Sequence, residues 1–204
     1  MNGSRLLRFA LINLLCCGCA SAPIHYYTLT PPIPVSEQNT AVSCCKVQIK
    51  RVLIPPEVDR PELIERSGDY QAVVLSNETW LAPLRDEIRS ALSSGINLKL
   101  SQAGTTEKSG RQIYSVLVDV TRFESVPGQY ALVEADWRVQ VAAPTAASPL
   151  YNKTTARITI GPGLPASVRG YQQAIGQIAD EIALAILNTE HREAQHPSGA
   201  TTAQ

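Results

Sequence analysis

Histidine and net charge are both in short supply in this sequence of 204 residues. It has three histidines, His25, His191 and His196, and two of them lie close to the C-terminus. A catalytic triad or a histidine-based metal site is therefore poorly supplied. The 18 basic side chains balance the 18 acidic ones. Proteins that bind nucleic acid usually carry a clustered excess of basic residues, so this balance argues against a nucleic-acid partner.

Motifs of catalysis and of phosphate binding are also missing. No G-x-S-x-G or H-E-x-x-H motif occurs, and residues 161–167, GPGLPAS, do not match the P-loop pattern. We therefore expect no enzymatic activity, no metal and no dissociable cofactor. A hydrolase that uses carboxylates such as Glu124, Glu134 and Asp136 is the weaker alternative, since carboxylates on the exposed face of an antiparallel strand are usually only solvated.

The N-terminal residues have the pattern of an export signal. Arg5 and Arg8 precede an almost wholly apolar stretch, residues 9–15, and small residues follow it. That stretch is shorter than the roughly 20 residues that a membrane-spanning helix needs. We therefore predict that residues 1–18 form a signal peptide that is removed.

Three of the five cysteines lie within four positions at the end of this signal, Cys16, Cys17 and Cys19. Their spacing does not match the paired C-x₂₋₄-C ligands of a zinc site, and cleavage would remove the first two. The segment resembles the lipobox of bacterial lipoproteins, in which a small residue precedes a cysteine that receives diacylglycerol. This resemblance implies that Cys19, after Gly18, becomes the mature N-terminus and carries diacylglycerol and an N-acyl chain.

Two further features of the segment bear on this prediction. Cys16 stands where the lipobox prefers leucine, so Cys17 remains an alternative attachment site. The residue after Cys19 is Ala20 rather than aspartate. By resemblance to enterobacterial sorting rules, this points to the outer membrane. Cys44 and Cys45 remain after cleavage, and on a strand their side chains would face opposite sides, so burial of one and a strained vicinal disulfide are both open.

The mature chain has the pattern of one α+β domain. Alternating apolar residues predict strands at 24–30, 45–54, 63–66, 70–76, 111–123, 130–142 and 150–160, with a bulge near Arg51. The sequence predicts a first helix at 79–100, capped by Thr79, with Glu87 on its polar face, and a second helix from about 165.

These elements predict a two-layer sandwich in which two amphipathic helices pack on one face of a mostly antiparallel sheet. We expect residues 19–43 to comprise the lipidated N-terminus, the first strand and a Pro-rich connector. Residues 44–191 would form the single domain, continuing from strand 24–30. Residues 192–204 are predicted to be a disordered tail.

Five segments of the chain occur in an order that is typical of one protein family. They are HYYTL at 25–29, IPPEVDRPELIER at 54–66, ETWLAPLRDEI at 78–88, FESVPGQYALVEADWRV at 123–139 and the C-terminal helix. In this order they resemble the ABC-type transport auxiliary lipoproteins. The resemblance implies an outer-membrane lipoprotein that faces the periplasm and serves an MCE-type intermembrane lipid transport system by docking and tethering.

The same resemblance implies the partners. They would be an MCE-type periplasmic protein, inner-membrane transport components and the outer membrane itself, and assembly into a homo-oligomer stays open. A lipoprotein of a secretion or envelope assembly machine is the alternative within the same anchoring scheme, and a periplasmic hydrolase is the less favoured one.

Five residues are candidates for partner contact. Tyr26 and Tyr27 would face opposite sides of a strand, so one of them is available to a partner. Asp59 and Arg60 precede a proline and suit either a turn or a contact. Trp80 could be an interface anchor, because Trp is enriched at binding hot spots, although its spacing in the predicted helix favours burial.

Overall fold

Seven strands and two long helices form within the residues that the computed structural model describes, which are 22–31, 45–103, 112–142 and 148–195. The elements in chain order are β1 (His25–Tyr27), β2 (Cys45–Leu53), β3 (Glu62–Ser67), β4 (Gln71–Trp80), α1 (Leu84–Gln102), β5 (Gln112–Val126), β6 (Tyr130–Val141), β7 (Leu150–Thr159) and α2 (Leu164–Gln195). A 3₁₀ turn, Pro56–Val58, joins β2 to β3. The α+β class predicted from the sequence is confirmed.

The strands form two mixed sheets. The smaller sheet has the order β1-β4-β3, and the larger has the order β2-β5-β6-β7. Strand β1 is parallel to β4 and β2 is parallel to β5, whereas β3–β4 and β5–β6–β7 are antiparallel. Strand β2 ends at Leu53, opposite Asp119, because Pro55 and Pro56 follow it. Beyond that point β3 lies beside the rest of β5, joined to it by an Arg66–Glu124 ion pair of 3.0 Å.

One face of the larger sheet is covered by both helices. The inward side chains of β5 and β6 are buried as their alternation predicts, namely Tyr114, Val116, Val118, Val120, Ala131, Val133, Ala135, Trp137, Val139 and Val141. The predicted bulge is present between Ile49 and Arg51. It turns Val52 toward the core, where it is buried. Cys45 is buried as well, whereas Cys44 lies outside the described residues.

The predicted start of the first helix is wrong. Thr79 and Trp80 end β4, and α1 begins only at Leu84, after Pro83. A residue that precedes proline is disfavoured in the helical region, so Ala82 separates the strand from the helix. Trp80 is instead paired with Tyr27 of β1.

The second helix is longer than predicted. Its apolar stripe is buried throughout, with Val168, Tyr171, Ile175, Ile178, Ile182 and Ile186 facing the sheet or α1. The helix continues to Gln195, so the prediction of a tail from residue 192 is wrong for residues 192–195. The described residues do not include residues 196–204, the predicted signal peptide, Cys17, Cys19 or the Pro-rich connector beyond Pro31.

Two glycines of α2 have opposite surroundings. A Cβ at Gly170 would lie 2.5 Å from Ile160 Cγ2 and 2.7 Å from Ala131 Cβ, whereas a Cβ at Gly176 would meet nothing within 4 Å. Gly170 therefore sets how closely α2 approaches the sheet. Gly176 contributes no contact of this kind and only weakens the helix.

We therefore expect alanine to have opposite effects at the two positions. Gly170→Ala should lower the free energy of unfolding by about 1–3 kcal/mol through overpacking. Gly176→Ala should raise it by roughly 0.5–1 kcal/mol, the helix-propensity difference. Urea unfolding followed by circular dichroism measures both, and equal shifts in the two variants would contradict the packing described above.

Candidate functional site

The N-terminal segment, residues 25–29, packs against β4 and both helices, which are distant from it in the sequence. His25, Tyr26 and Tyr27 pair in parallel with Glu78–Trp80 of β4. The backbone N–H of Leu81 donates to the Tyr27 carbonyl at 2.7 Å. Leu29, just beyond the strand, is completely buried. The segment is therefore held by backbone pairing at one end and by a hydrophobic side chain at the other.

A buried carboxylate fixes the same segment to α1. Glu87 is only 5% exposed, and its Oε2 accepts hydrogen bonds from the Thr28 hydroxyl and the Leu29 N–H, each at 2.8 Å. From α2, Gln172 Nε2 donates to the Thr28 carbonyl at 3.0 Å. The sequence predicted Glu87 on the polar face of its helix, and this is wrong, because Thr28 and Leu29 of the N-terminal segment cover the side chain. Both helices thus bind the segment directly.

The side chains of His25 and Tyr27 in β1 lie close to Glu78 on the neighbouring strand, β4. His25 Nδ1 lies 3.0 Å from Glu78 Oε1. The hydrogen bond with His25, followed by one with Tyr27, lowers the pKa of Glu78 below its usual value of 4.5. Burial raises the pKa of Tyr27 to about 12, and the Glu78 carboxylate adds to this effect. At neutral pH Glu78 is therefore ionised and Tyr27 keeps its proton.

The five candidate contact residues converge on the C-terminal end of β4. Tyr26 lies beside Thr79 on one side, and Glu62 lies beside Thr79 on the other. Arg60 Nε is 2.9 Å from Glu62 Oε2. Asp59 forms an ion pair with Arg85 at the start of α1. The side chains of Tyr26, Asp59 and Arg60 are exposed, so a partner could reach all three.

Trp80 and Tyr27 have a different environment. Trp80 is 5% exposed and packs edge-to-face against Phe123 and Tyr171, at centroid distances of 6.1 and 6.3 Å. Phe123 and Tyr171 stack at 4.0 Å. Tyr27 is half-buried. Trp80 therefore joins the smaller sheet to α2 and β5, and both candidates offer less surface to a partner than Tyr26 does.

The larger sheet carries a second candidate surface, which the sequence did not predict. The face of the larger sheet opposite the helices, which we call the open sheet face, contains a groove of about 510 Å³. Exposed Leu53 and Tyr151 line it together with Arg51, Leu117, Asp119, Asp136 and Arg138. The Arg138 guanidinium lies 5.8 Å from the centre of the Tyr151 ring. Alternation in β6 marks Asp136 and Arg138 as outward-facing, but only the strand order shows which residues lie beside them.

Two carboxylates face each other on this surface. Asp119 of β5 is directly opposite Asp136 of β6, and Leu53 and Lys153 lie at the ends of the same row. The Lys153 amine is directed to Glu134 instead, at 3.9 Å. Within the described ranges, neither aspartate forms an ion pair, although Arg51 and Arg138 line the same groove. Like charges directly opposite on adjacent strands are destabilising, so the pair is a local cost to the isolated chain.

Two of the three carboxylates that the sequence offered for catalysis form ion pairs, and Asp136 lies on the open sheet face. Glu124 pairs with Arg66 and Arg122, and Glu134 pairs with Arg122 and Lys153. In the part of the chain that the structure describes, no three His, Cys, Asp or Glu residues converge as a metal site. Neither helix there combines the length and the apolar character that a membrane span requires.

Comparison with known families identifies the chain's relatives. A family model described as the ABC-type transport auxiliary lipoprotein component matches residues 27–183. The resemblance found in the sequence motifs is therefore confirmed over most of the chain. Among functionally curated proteins, none matches the sequence significantly.

Two crystal structures share the architecture. One, of an uncharacterized protein, is 18% identical, has a TM-score of 0.63, and covers 81% of this chain and 99% of its own. The other, protein XCC0632 from Xanthomonas campestris of the family DUF330, is 19% identical, has a TM-score of 0.58, and covers 84% of this chain and 99% of its own. At such identities the likeness shows the fold alone.

Removing the buried carboxylate should release the N-terminal segment. Glu87→Leu leaves the Leu29 N–H and the Thr28 hydroxyl without an acceptor, which should lower the free energy of unfolding by about 1–3 kcal/mol. Amide hydrogen exchange at Leu29 should accelerate more than exchange within β6. The matched control is Asp86→Asn, one position earlier on the exposed side of α1. Unchanged exchange at Leu29 in Glu87→Leu would show that the carboxylate does not hold the segment.

Proposed function

The chain belongs to the ABC-type transport auxiliary lipoprotein family, and on that premise we propose that it is an outer-membrane-anchored periplasmic subunit of an MCE-type lipid transport system. In this role it makes and breaks no covalent bond. It docks the periplasmic and inner-membrane components of the system and tethers them to the outer membrane.

The observation that carries this proposal is the attachment of the N-terminal segment to both helices. A lipid on a freely hanging N-terminus would leave the domain on a long, slack tether. Here Leu29 is fully buried and Glu87 and Gln172 bind Thr28 and Leu29, so little slack remains between the anchor and the body. Such a connection suits a protein whose task is to hold a partner at a set distance from a membrane.

The anchor we propose is Cys19, carrying diacylglycerol and an N-acyl chain. Each buried methylene contributes about 0.8 kcal/mol, and a single acyl chain gives only marginal membrane binding. A cysteine with three chains therefore holds the protein stably without a membrane-spanning helix.

The open sheet face is our candidate for the docking surface. It combines exposed apolar side chains, Leu53 and Tyr151, with the facing pair of Asp119 and Asp136. A basic side chain from an MCE-type partner would relieve the repulsion between the two carboxylates. Exposed Tyr26, Asp59 and Arg60 offer a further contact surface near the N-terminal segment. Two of the three carboxylates of the hydrolase alternative, Glu124 and Glu134, are already paired with basic side chains, which favours docking over that alternative.

The anchor can be tested by fractionation. Cys19→Ser should move the protein from the membrane fraction to the soluble periplasmic fraction, because it removes the thiol that would be acylated. Cys17→Ser is the matched control and should leave the protein in the outer membrane. The reverse result would identify Cys17 as the attachment site. Retention of both single variants and of the double variant in the membrane would contradict the lipid anchor.

The docking surface can be tested by separating stability from binding. Asp119→Asn should raise the urea midpoint of the isolated domain, because one of two facing charges is removed, and it should weaken binding of the purified MCE-type partner in a salt-dependent manner. Asp180→Asn is the control, since that side chain pairs with Lys99 at 3.6 Å, and it should do neither.

Three results would contradict this role of the open sheet face. Asp119→Asn could leave partner binding unchanged. It could abolish self-association of the chain instead, which would make the occupant a second copy. Recovery of a secretin in place of MCE-type or ABC-transport components from crosslinked membranes would favour the secretion-machine alternative.

A further inference from the structure

The direction of β1 determines where the chain leads toward its N-terminus. Strand β4 runs from Gln71 at the tip of the β3–β4 hairpin to Trp80 at its base. Strand β1 is parallel to β4, with His25 opposite Glu78 near that base. The residues that precede His25 therefore leave β1 in the direction of the hairpin tip. An anchor placed on them lies on that side of the molecule.

Three turns meet at the same end, which we call the tip end: residues 67–70, 127–129 and 161–163. The N–H of Gly128 donates to the Gly161 carbonyl at 3.0 Å, which joins the second and third turns. The Arg66–Glu124 ion pair joins the two strands that lead into the first and second turns. The Ser167 hydroxyl, just after the third turn, donates to Glu65 of β3 at 2.6 Å.

Chain length limits how far the tip end can stand from the membrane. Cys19 is six residues before His25, so even a fully extended chain reaches only about 20 Å beyond it. Along β4, Gln71 is seven residues before Glu78, which corresponds to roughly 23 Å. The hairpin therefore extends at least as far as an extended tether can. A bilayer that holds Cys19 must lie at the level of the tip end or closer.

The composition of the tip end suits a lipid headgroup layer. Tyr70 is 96% exposed, and Val73 and Val74 on the adjoining strand are also exposed. Asp69 is the one charged residue in the sequence of the three turns. Tyr is favoured at membrane interfaces because its ring has an apolar body and a polar tip. The carboxylate of Asp69 restricts the contact to headgroup depth.

We propose that the tip end rests on the phospholipid surface that holds the anchor, with Tyr70 inserted at the level of the headgroups. This inference rests on the proposed acylation of Cys19. The acyl chains supply the affinity, whereas Tyr70 orients the domain. Helix α2 begins beside the tip end and has 32 residues, so its C-terminal end lies up to about 48 Å away from the contact.

Brominated lipids can measure this contact directly. The lipidated mature chain is reconstituted into phosphatidylethanolamine–phosphatidylglycerol vesicles that contain phosphatidylcholine brominated near the headgroup end of its acyl chains. Both native tryptophans are buried, so the indole introduced by Tyr70→Trp should show an additional, quenchable emission with a blue shift. Tyr151→Trp is the matched control. Tyr151 is 67% exposed and lies near the start of β7, eight residues before the last residue of that strand, which leads to the tip end, so its indole should not be quenched.

Tether length supplies a second test on the same variant. A flexible Gly-Ser insertion between Ala20 and Ser21 removes the length limit without touching the fold. Quenching of the Tyr70→Trp indole should then fall, because the domain can tilt and move away from the bilayer.

Separate outcomes overturn the inference and its premise. If the protein binds vesicles but the indole of Tyr70→Trp is quenched no more than that of Tyr151→Trp, the membrane contact is wrong and the proposed anchor stands. A blue shift that requires the MCE-type partner rather than lipid assigns Tyr70 to a protein interface and likewise overturns it. A native chain that binds vesicles no better than Cys19→Ser overturns the proposed anchor itself.

Discussion

A buried carboxylate and three residues of parallel strand hold the N-terminal end of this chain against its body. Glu87 would be costly to bury without partners, and the Leu29 N–H and the Thr28 hydroxyl supply them. The same contacts place Tyr27 against Trp80 and seat Leu29 beneath both helices. This one set of contacts decides where, and in which direction, the chain that carries the proposed anchor leaves the domain. The proposed tethering role and the inferred membrane contact both depend on it.

The two faces and two ends of the domain are chemically different. Helices cover one face of the larger sheet, and the opposite face keeps exposed apolar side chains beside facing aspartates. The tip end is almost uncharged, and the chain leaves β1 toward it on the N-terminal side. A tethering protein needs these properties together, because one surface must meet lipid while another meets protein. In the proposed arrangement the plane of the open sheet face is roughly perpendicular to the membrane surface. A partner that spans the periplasm can therefore reach this face from the side.

Local patterning predicted the parts of the fold that depend on near neighbours. Alternation in β5 and β6 identified the buried face, and the spacing from Val168 to Ile186 identified the stripe of α2, because both reflect contact with a single apolar layer. The start of α1 was missed because Trp80 fits a helical period, while Pro83 and the pairing of β4 with β1 decide otherwise. The parallel pairing, the burial of Glu87 and the facing pair of Asp119 and Asp136 all require contacts between distant segments. Periodicity carries no information about such contacts.

The first strand of the chain is also one that must form late. His25 pairs with a strand whose facing residue is 53 positions away, and Gln172 reaches Thr28 across 144 positions. Pairings of this kind slow folding, because the entropy cost of closing a long loop comes before the stabilising contacts form. When synthesis delivers the N-terminus first, residues 25–29 have nowhere to dock until both helices exist. During that interval the domain does not yet hold residues 25–29, so an enzyme that acts on the chain before them would meet an unfolded substrate.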